Sequence, residues 1–213
     1  MHFLPDEIDK YAHDHTSKES DLLYELNRQT HVQVLIPRML SGHLQGRALS
    51  MISKMINPSY VLEIGTYTGY SALCFAEGLK EDGCIHTIEI DPEVADFAQG
   101  YFDKSSFKNQ IKSHVGNAMD IIESLDDGID LVFMDADKSN YINYYNLVMP
   151  KLKSGGYILL DNVLWSGKVT KEANPKDKDT ITLQEINKMI QDDDRVENIL
   201  LPIRDGLMLV RKH

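Results

Sequence analysis

The 213-residue chain carries 22 Lys and Arg against 33 Asp and Glu, a net charge of −11, with 42% hydrophobic and 26% charged residues. That length suits one sizeable α/β domain, the acidity excludes a general nucleic-acid-binding surface, and no run approaches the roughly 18 apolar residues of a membrane span. The start, "MHFLPDEIDK", lacks the basic-then-apolar order of a signal peptide, and Cys74 and Cys84 read as buried thiols of a reducing compartment, so the chain is expected in the cytoplasm.

Residues 6–56 read as helices. "DEIDKYAHDH" opens with acids, which favour a helix N-terminus. "KESDLLYELNRQT" places Leu22, Leu23 and Leu26 at helical spacing, and "QGRALSMISKMI" is a further amphipathic stretch. From Leu26 to Leu62 there is no Asp or Glu, while Arg28, Arg38, Arg47 and Lys54 make the segment +4 and leave −15 for the rest. Such a segment is either a packed helical pair that needs no acids or a surface facing an anionic ligand.

After Pro58 short apolar runs alternate with helical patterns. The strands predicted are 60–65, 84–90, 110–116, 129–135, 156–161, 196–202 and 206–212, and the helices 70–80, 92–104, 117–124, 139–151 and 180–192. This alternation implies parallel βαβ units with helices on both faces of a sheet. The last two strands are joined too closely for a crossover and must form an antiparallel hairpin. No linker or repeat interrupts the chain, so a single domain is expected over 1–213, with helices over 1–57 and an α/β core over 58–213.

"LEIGTYTGYS" (62–71) is a strand, a glycine turn and a helix start. Gly65 and Gly69 are spaced G-x-x-x-G rather than G-x-G-x-x-G, which lowers the case for a dinucleotide. Glu63 before the turn would repel phosphates and attract a cation. Glu89, 24 residues after Gly65, stands where an acid accepts hydrogen bonds from ribose hydroxyls. An adenosine ribose, no phosphates and a positive centre describe S-adenosylmethionine.

"VFMDADKSNY" (132–141) ends a buried strand in charged residues, where ionised groups persist only if paired or bound. Asp135 ends the fourth strand, and Asp161 with Asn162 ends the fifth. Adjacent parallel strands bring such ends within about 5 Å, so two carboxylates and an amide oxygen converge. All-oxygen ligation selects a hard cation, Mg²⁺ first, with Mn²⁺ or Ca²⁺ as alternatives. Beside a metal the Lys138 ammonium is disfavoured, and Lys138 could serve as a general base. Trp165 is either core or a flat wall for an aromatic ring.

Taken in order, "EIGTYTGYSAL", "IEID", "GNAMD", "MDADKSNY", "GGYILLDNVLWSG" and "PIRDGLMLVRK" resemble the metal-dependent O-methyltransferases of the caffeoyl-CoA and catechol type, over nearly the whole chain. "DADK-x-x-Y" followed by "DN-x-L-W-x-G" is the specific pair. The resemblance implies a class I methyltransferase, Rossmann-like, seven-stranded sheet with an antiparallel last strand, and a homodimer. For the methyl donor it implies Met39, Ser41, Glu63, Gly65, Thr66, Ser71, Glu89, Ala118, Asp135 and Asp137. It gives the metal to Asp135, Asp161 and Asn162, and the substrate proton to Lys138. Trp165 and Ser166 fall at the substrate; Ser166 replaces an Asn of the plant enzymes, which puts their acyl-CoA substrate in doubt. The loop 168–180 is this chain's own and could set specificity.

The expected reaction methylates one hydroxyl of a vicinal dihydroxy aromatic small molecule. A bacterial branch of the same family points to an alternative, methylation of a 5-hydroxyuridine in transfer RNA, for which the +4 segment would help bind phosphates. A third reading, a non-catalytic S-adenosylmethionine-binding module, leaves Asp135, Lys138, Asp161 and Asn162 without purpose.

Overall fold

A computed structural model describes residues 5–213; the first four residues of the stretch read against a signal peptide lie outside them. The described residues fall into two compact units, one within Leu4–Ala118 and one of Met119–His213.

The first unit begins with α1 (Asp6–Asp14), α2 (Asp21–Gln33) and α3 (Gly42–Ile56). Acids crowd the first turn of α1. In α2 the Ser20 hydroxyl accepts from the Leu23 amide at 3.3 Å, and Leu23, Leu26 and Thr30 form the buried face. Strand β1 (Tyr60–Ile64) leads through a turn into α4 (Tyr70–Ala76), then β2 (Cys84–Glu89), α5 (Pro92–Phe102) and β3 (Ile111–Val115). β1 and β3 flank β2, and both pairings are parallel.

The second unit follows α6 (Ala118–Ser124) with β4 (Ile129–Met134), α7 (Tyr141–Lys151), β5 (Leu152–Asp161), α8 (Lys178–Gln191), β6 (Val196–Leu201) and β7 (Leu207–Lys212). Its strand order is β4-β5-β7-β6, with β4 and β5 parallel and β7 antiparallel to both neighbours. The sheet is thus mixed and seven-stranded, and the expected hairpin is present. Leu131, Val132, Phe133, Ile158, Leu159 and Leu160 are fully buried, as strands covered on both faces require.

The differences from the sequence reading are local. β5 begins at Leu152 rather than 156, because Ile129 pairs with Leu152 and Leu131 with Tyr157, so the Ser154-Gly155-Gly156 stretch is absorbed as a bulge. Short 3₁₀ turns at Pro37–Met39, Lys138–Asn140 and Trp165–Thr170 were not foreseen. Cys74 is buried as expected, whereas Cys84 is only partly so; both are free. No described helix is long and apolar enough to cross a membrane.

Candidate active site

In the unit of Met119–His213, the chemistry gathers at the ends of β4 and β5. Met134 pairs with Leu160, so the next residues, Asp135 and Asp161, leave neighbouring strands side by side. Asp161 is 3% exposed, and its Oδ1 accepts from the Asn162 amide at 2.8 Å. Asn162 is left-handed, φ 61°, a conformation that asparagine tolerates better than most residues. After Asp135 the chain tightens into the 3₁₀ turn at Lys138–Asn140, which returns Lys138 over the strand end. Its ammonium donates to Asp135 Oδ1 at 2.9 Å and to the Tyr141 hydroxyl at 2.7 Å. The Tyr141 hydroxyl lies 3.0 Å from both the Met134 and Asp161 carbonyl oxygens.

Lys138 is 7% exposed, so it is no surface lysine. Burial alone would lower its pKa, but Asp135, Tyr141 and Asp161 together hold it above the ordinary lysine value. The Asp135 carboxyl is pushed up to about 7, by burial first, with Asp161 adding to the rise and Lys138 and Arg204 opposing it. Two carboxylates that repel each other thus sit at the strand ends, with Lys138 and Arg204 offsetting the repulsion at Asp135.

Among the described residues no group of three His, Cys, Asp or Glu could hold a metal. The set expected from sequence is of another kind: Asp135 and Asp161 supply two carboxylates and Asn162 an amide oxygen. These are hard donors, and the mutual repulsion of the carboxylates is what a divalent cation relieves, so the residues present fit one.

Past Asn162 the backbone takes left-handed values at Trp165 (φ 46°), Ser166 (φ 55°) and Gly167 (φ 77°). The turn between β6 and β7 holds this bend. Val163 and Leu164 donate amides to Gly206 O at 3.1 Å and Asp205 O at 2.9 Å, and the Ser166 amide donates to Asp205 Oδ1 at 2.5 Å. Gly206 is obligatory there, since its φ is 90° and a Cβ would sit 2.5 Å from Leu164 Cγ. Trp165 is partly exposed, with Lys168 Nζ 5.9 Å from its ring centroid. Asp137, just before the 3₁₀ turn, accepts from Tyr144 of α7 at 2.6 Å and from Asn140 at 2.5 Å.

In the unit within Leu4–Ala118, the turn after β1 is built around buried polar groups. Thr66 donates to Thr87, which donates to Glu63, and all three are fully buried. The Gly65 and Thr66 amides share Ile88 O, at 3.0 and 3.1 Å. Glu89 is fixed by backbone donors: Tyr67 N at 2.8 Å on Oε2, and Ile90 N at 2.9 Å and Asp91 N at 3.0 Å on Oε1. Ser71 is buried in the first turn of α4, Ser41 is buried at the start of α3, Met39 is 54% exposed, and Ala118 opens α6 half-buried. The Tyr67 hydroxyl donates to Ile36 O at 2.9 Å, tying the segment before Met39 to the glycine turn.

Of the two readings of the +4 segment, the packed helical pair fits Arg47 and Lys54. Both are bound to Glu77, which Ser50 also contacts; Arg28, Arg38 and Lys54 are exposed, and Lys54 is the one of the three tied to Glu77. A cation's sequence neighbours say nothing of a carboxylate 30 residues away, so the +4 count overstated the free charge. The sequence reading also missed Tyr141, Tyr67 and the Arg204-Asp205 turn. The first was signalled by its place three residues after Lys138, within reach on a helical turn.

The sequence model described as O-methyltransferase matches residues 13–213. A caffeoyl-CoA O-methyltransferase of Petroselinum crispum is 36% identical over 179 residues, covering 79% of this chain and 74% of that protein. An SAH-bound methyltransferase of Podospora anserina superposes with a TM-score of 0.89 at 26% identity, covering 99% of this chain and 98% of the other. TomG, an O-methyltransferase of Streptomyces achromogenes involved in tomaymycin synthesis and solved in complex with SAM, gives 0.88 at 27% identity over 97% and 96%. With a mixed seven-stranded sheet of class I methyltransferase type, a family match over residues 13–213 and solved structures superposing nearly end to end, the chain belongs to the O-methyltransferase family, on its caffeoyl-CoA O-methyltransferase side.

Proposed function

We propose that this O-methyltransferase uses S-adenosylmethionine and a divalent cation to methylate one hydroxyl of a vicinal dihydroxy aromatic small molecule. The observation that carries the proposal is the pairing of Met134 with Leu160, which sets Asp135 and Asp161 side by side with Lys138 bound to the first. Glu89 supports the donor assignment. Three of the roughly four acceptor positions of a carboxylate are taken by backbone amides, so it is held rigidly with one position left for a ribose hydroxyl.

Asp135, Asp161 and Asn162 would hold the cation, Mg²⁺ in the first instance. Bound there, it would supply Lewis acidity to a ligated hydroxyl, as metals do for water. Lys138 keeps its proton because the charge of Asp135 faces it; with that charge shared by a cation, burial favours the neutral amine, which still donates to Asp135 Oδ1. Lys138 then takes the proton of the diol. The oxyanion so formed attacks the sulfonium methyl, and the thioether leaves. The sheltered site contributes by holding the reactants at attack distance. Trp165 and Ser166 would border the ring, with the loop 168–180 setting its size. A cytoplasmic homodimer completes the reading; it rests on the sequence resemblance and the free thiols.

The transfer RNA reading is not favoured, because Arg47 is turned inward onto Glu77, which Lys54 shares, and the chain carries a net charge of −11. The test offers labelled methyl donor with a catechol, a caffeoyl ester and hydroxylated transfer RNA side by side, with and without chelator. Label on the diols alone, lost with chelator, supports the proposal; label on transfer RNA alone overturns it.

A further inference from the structure

We propose that Tyr141 is a positioning residue whose hydroxyl fixes the direction in which the Lys138 amine meets its substrate. The proposal rests on the reading of Lys138 as proton acceptor. Tyr141 opens α7 and is fully buried. Its hydroxyl has one proton and two lone pairs. The Met134 and Asp161 carbonyls, each 3.0 Å away, can only accept, so the proton goes to one of them. What Tyr141 turns toward Lys138 is therefore a lone pair, and at 2.7 Å the hydroxyl accepts an N–H from Nζ.

The consequence is geometric. A tetrahedral Nζ has four positions, of which Cε occupies one. One N–H is aimed at Asp135 Oδ1 at 2.9 Å and another at Tyr141, so the fourth direction is set by elimination. It holds the third proton in the ammonium and the lone pair in the free amine. With Tyr141 in place, the lone pair has one staggered position; with Asp135 as the sole partner, it has two, and the long flexible stem loses an anchor. Misplacement of this kind lowers rates by up to about 10². The rival role for the same hydroxyl is purely structural: lying 3.0 Å from the carbonyls at the ends of β4 and β5, it would staple the strands that carry Asp135 and Asp161.

The experiment separates these roles. Tyr141→Phe is made in the wild type and in Lys138→Ala. Positioning predicts a kcat lowered about 10- to 100-fold, KM for diol and donor within about twofold, Mn²⁺ affinity by electron paramagnetic resonance unchanged, and no further loss in the Lys138→Ala background. An equal loss in both backgrounds, or weakened Mn²⁺ binding, assigns Tyr141 to stapling and overturns the proposal. A second arm needs no turnover. In protein labelled with ¹³Cε-lysine, the two Hε protons of Lys138 should resonate separately in the wild type and merge in Tyr141→Phe. Merged resonances in the wild type refute the proposal even if the variant does not fold. Should Lys138→Ala keep full activity, the base assignment falls, while the Hε signals still decide whether Tyr141 holds the amine.

Discussion

Arg47 grips Glu77 in two parallel hydrogen bonds, Nη1 to Oε2 at 2.9 Å and Nη2 to Oε1 at 2.8 Å, joining α3 to the end of α4. Ser50 adds a bond at 2.6 Å and Lys54 one at 3.1 Å. Burial alone would raise the Glu77 pKa, but these partners bring it below the ordinary value. The arrangement turns half of an acid-free cationic segment into an internal fastening.

Arg47→Ala is therefore expected to weaken folding rather than substrate binding, by about 2 kcal/mol in urea unfolding, because a half-buried carboxylate loses its bidentate partner. Glu77 has a lowered folded pKa, so its contribution is present above the unfolded value, near 4.5, and fades as pH falls through the folded one. The difference between wild type and variant should be largest near neutral pH and shrink below about pH 4.5. A constant difference across that range would show that the charge of Glu77 is not involved.

Chelator should abolish methyl transfer, and Mg²⁺ or Mn²⁺ should restore it. Asp161→Asn should weaken Mn²⁺ binding at least about 100-fold, read by calorimetry, while S-adenosylmethionine still binds. Full turnover in excess chelator would remove the cation from the mechanism.

Lys138→Ala should lower kcat by about 10² to 10⁴, the usual range for a positioned proton acceptor, with donor affinity nearly unchanged. A variant within about threefold of wild type would mean that solvent takes the proton.

Gly69→Ala tests the glycine turn. At φ 88° a Cβ would lie 2.6 Å from the Phe102 ring, so left-handed strain and overpacking add. The expected loss is about 2–4 kcal/mol in chemical unfolding, with weaker donor binding. An unchanged midpoint would mean that the turn can rearrange.

Much of this was legible in the sequence. The strands differ at their ends by one or two residues, except β5, because apolar runs bounded by turn residues leave few alternatives. Asp135 and Asp161 were placed side by side from strand order alone. Lys138 was recognised, but not its burial, since the 3₁₀ turn at Lys138–Asn140 that brings it inward leaves no periodic signal in three residues. Asp137 was assigned to the donor; its carboxylate also accepts from Tyr144 and Asn140, partners that a motif does not announce. The +4 segment left two readings open for the same reason, because pairing is three-dimensional.

The bend after Asn162 also bears on how new substrates could be acquired. Asn187 holds Val163 O at 2.9 Å, and Gln184 holds Val169 O and Lys171 O at 3.0 and 2.7 Å, so α8 clamps the stretch on its near side. On the far side Asp177 begins α8 by accepting from Thr180 N at 3.2 Å. Glu172 to Lys176 hang between two fixed posts, exposed apart from a partly covered Ala173. Descendants of this gene could lengthen, shorten or replace those five positions while inheriting the strand ends intact. On the proposed reading, selection could thus explore acceptor shape in one interchangeable segment while Asp135, Lys138 and Asp161 stay fixed.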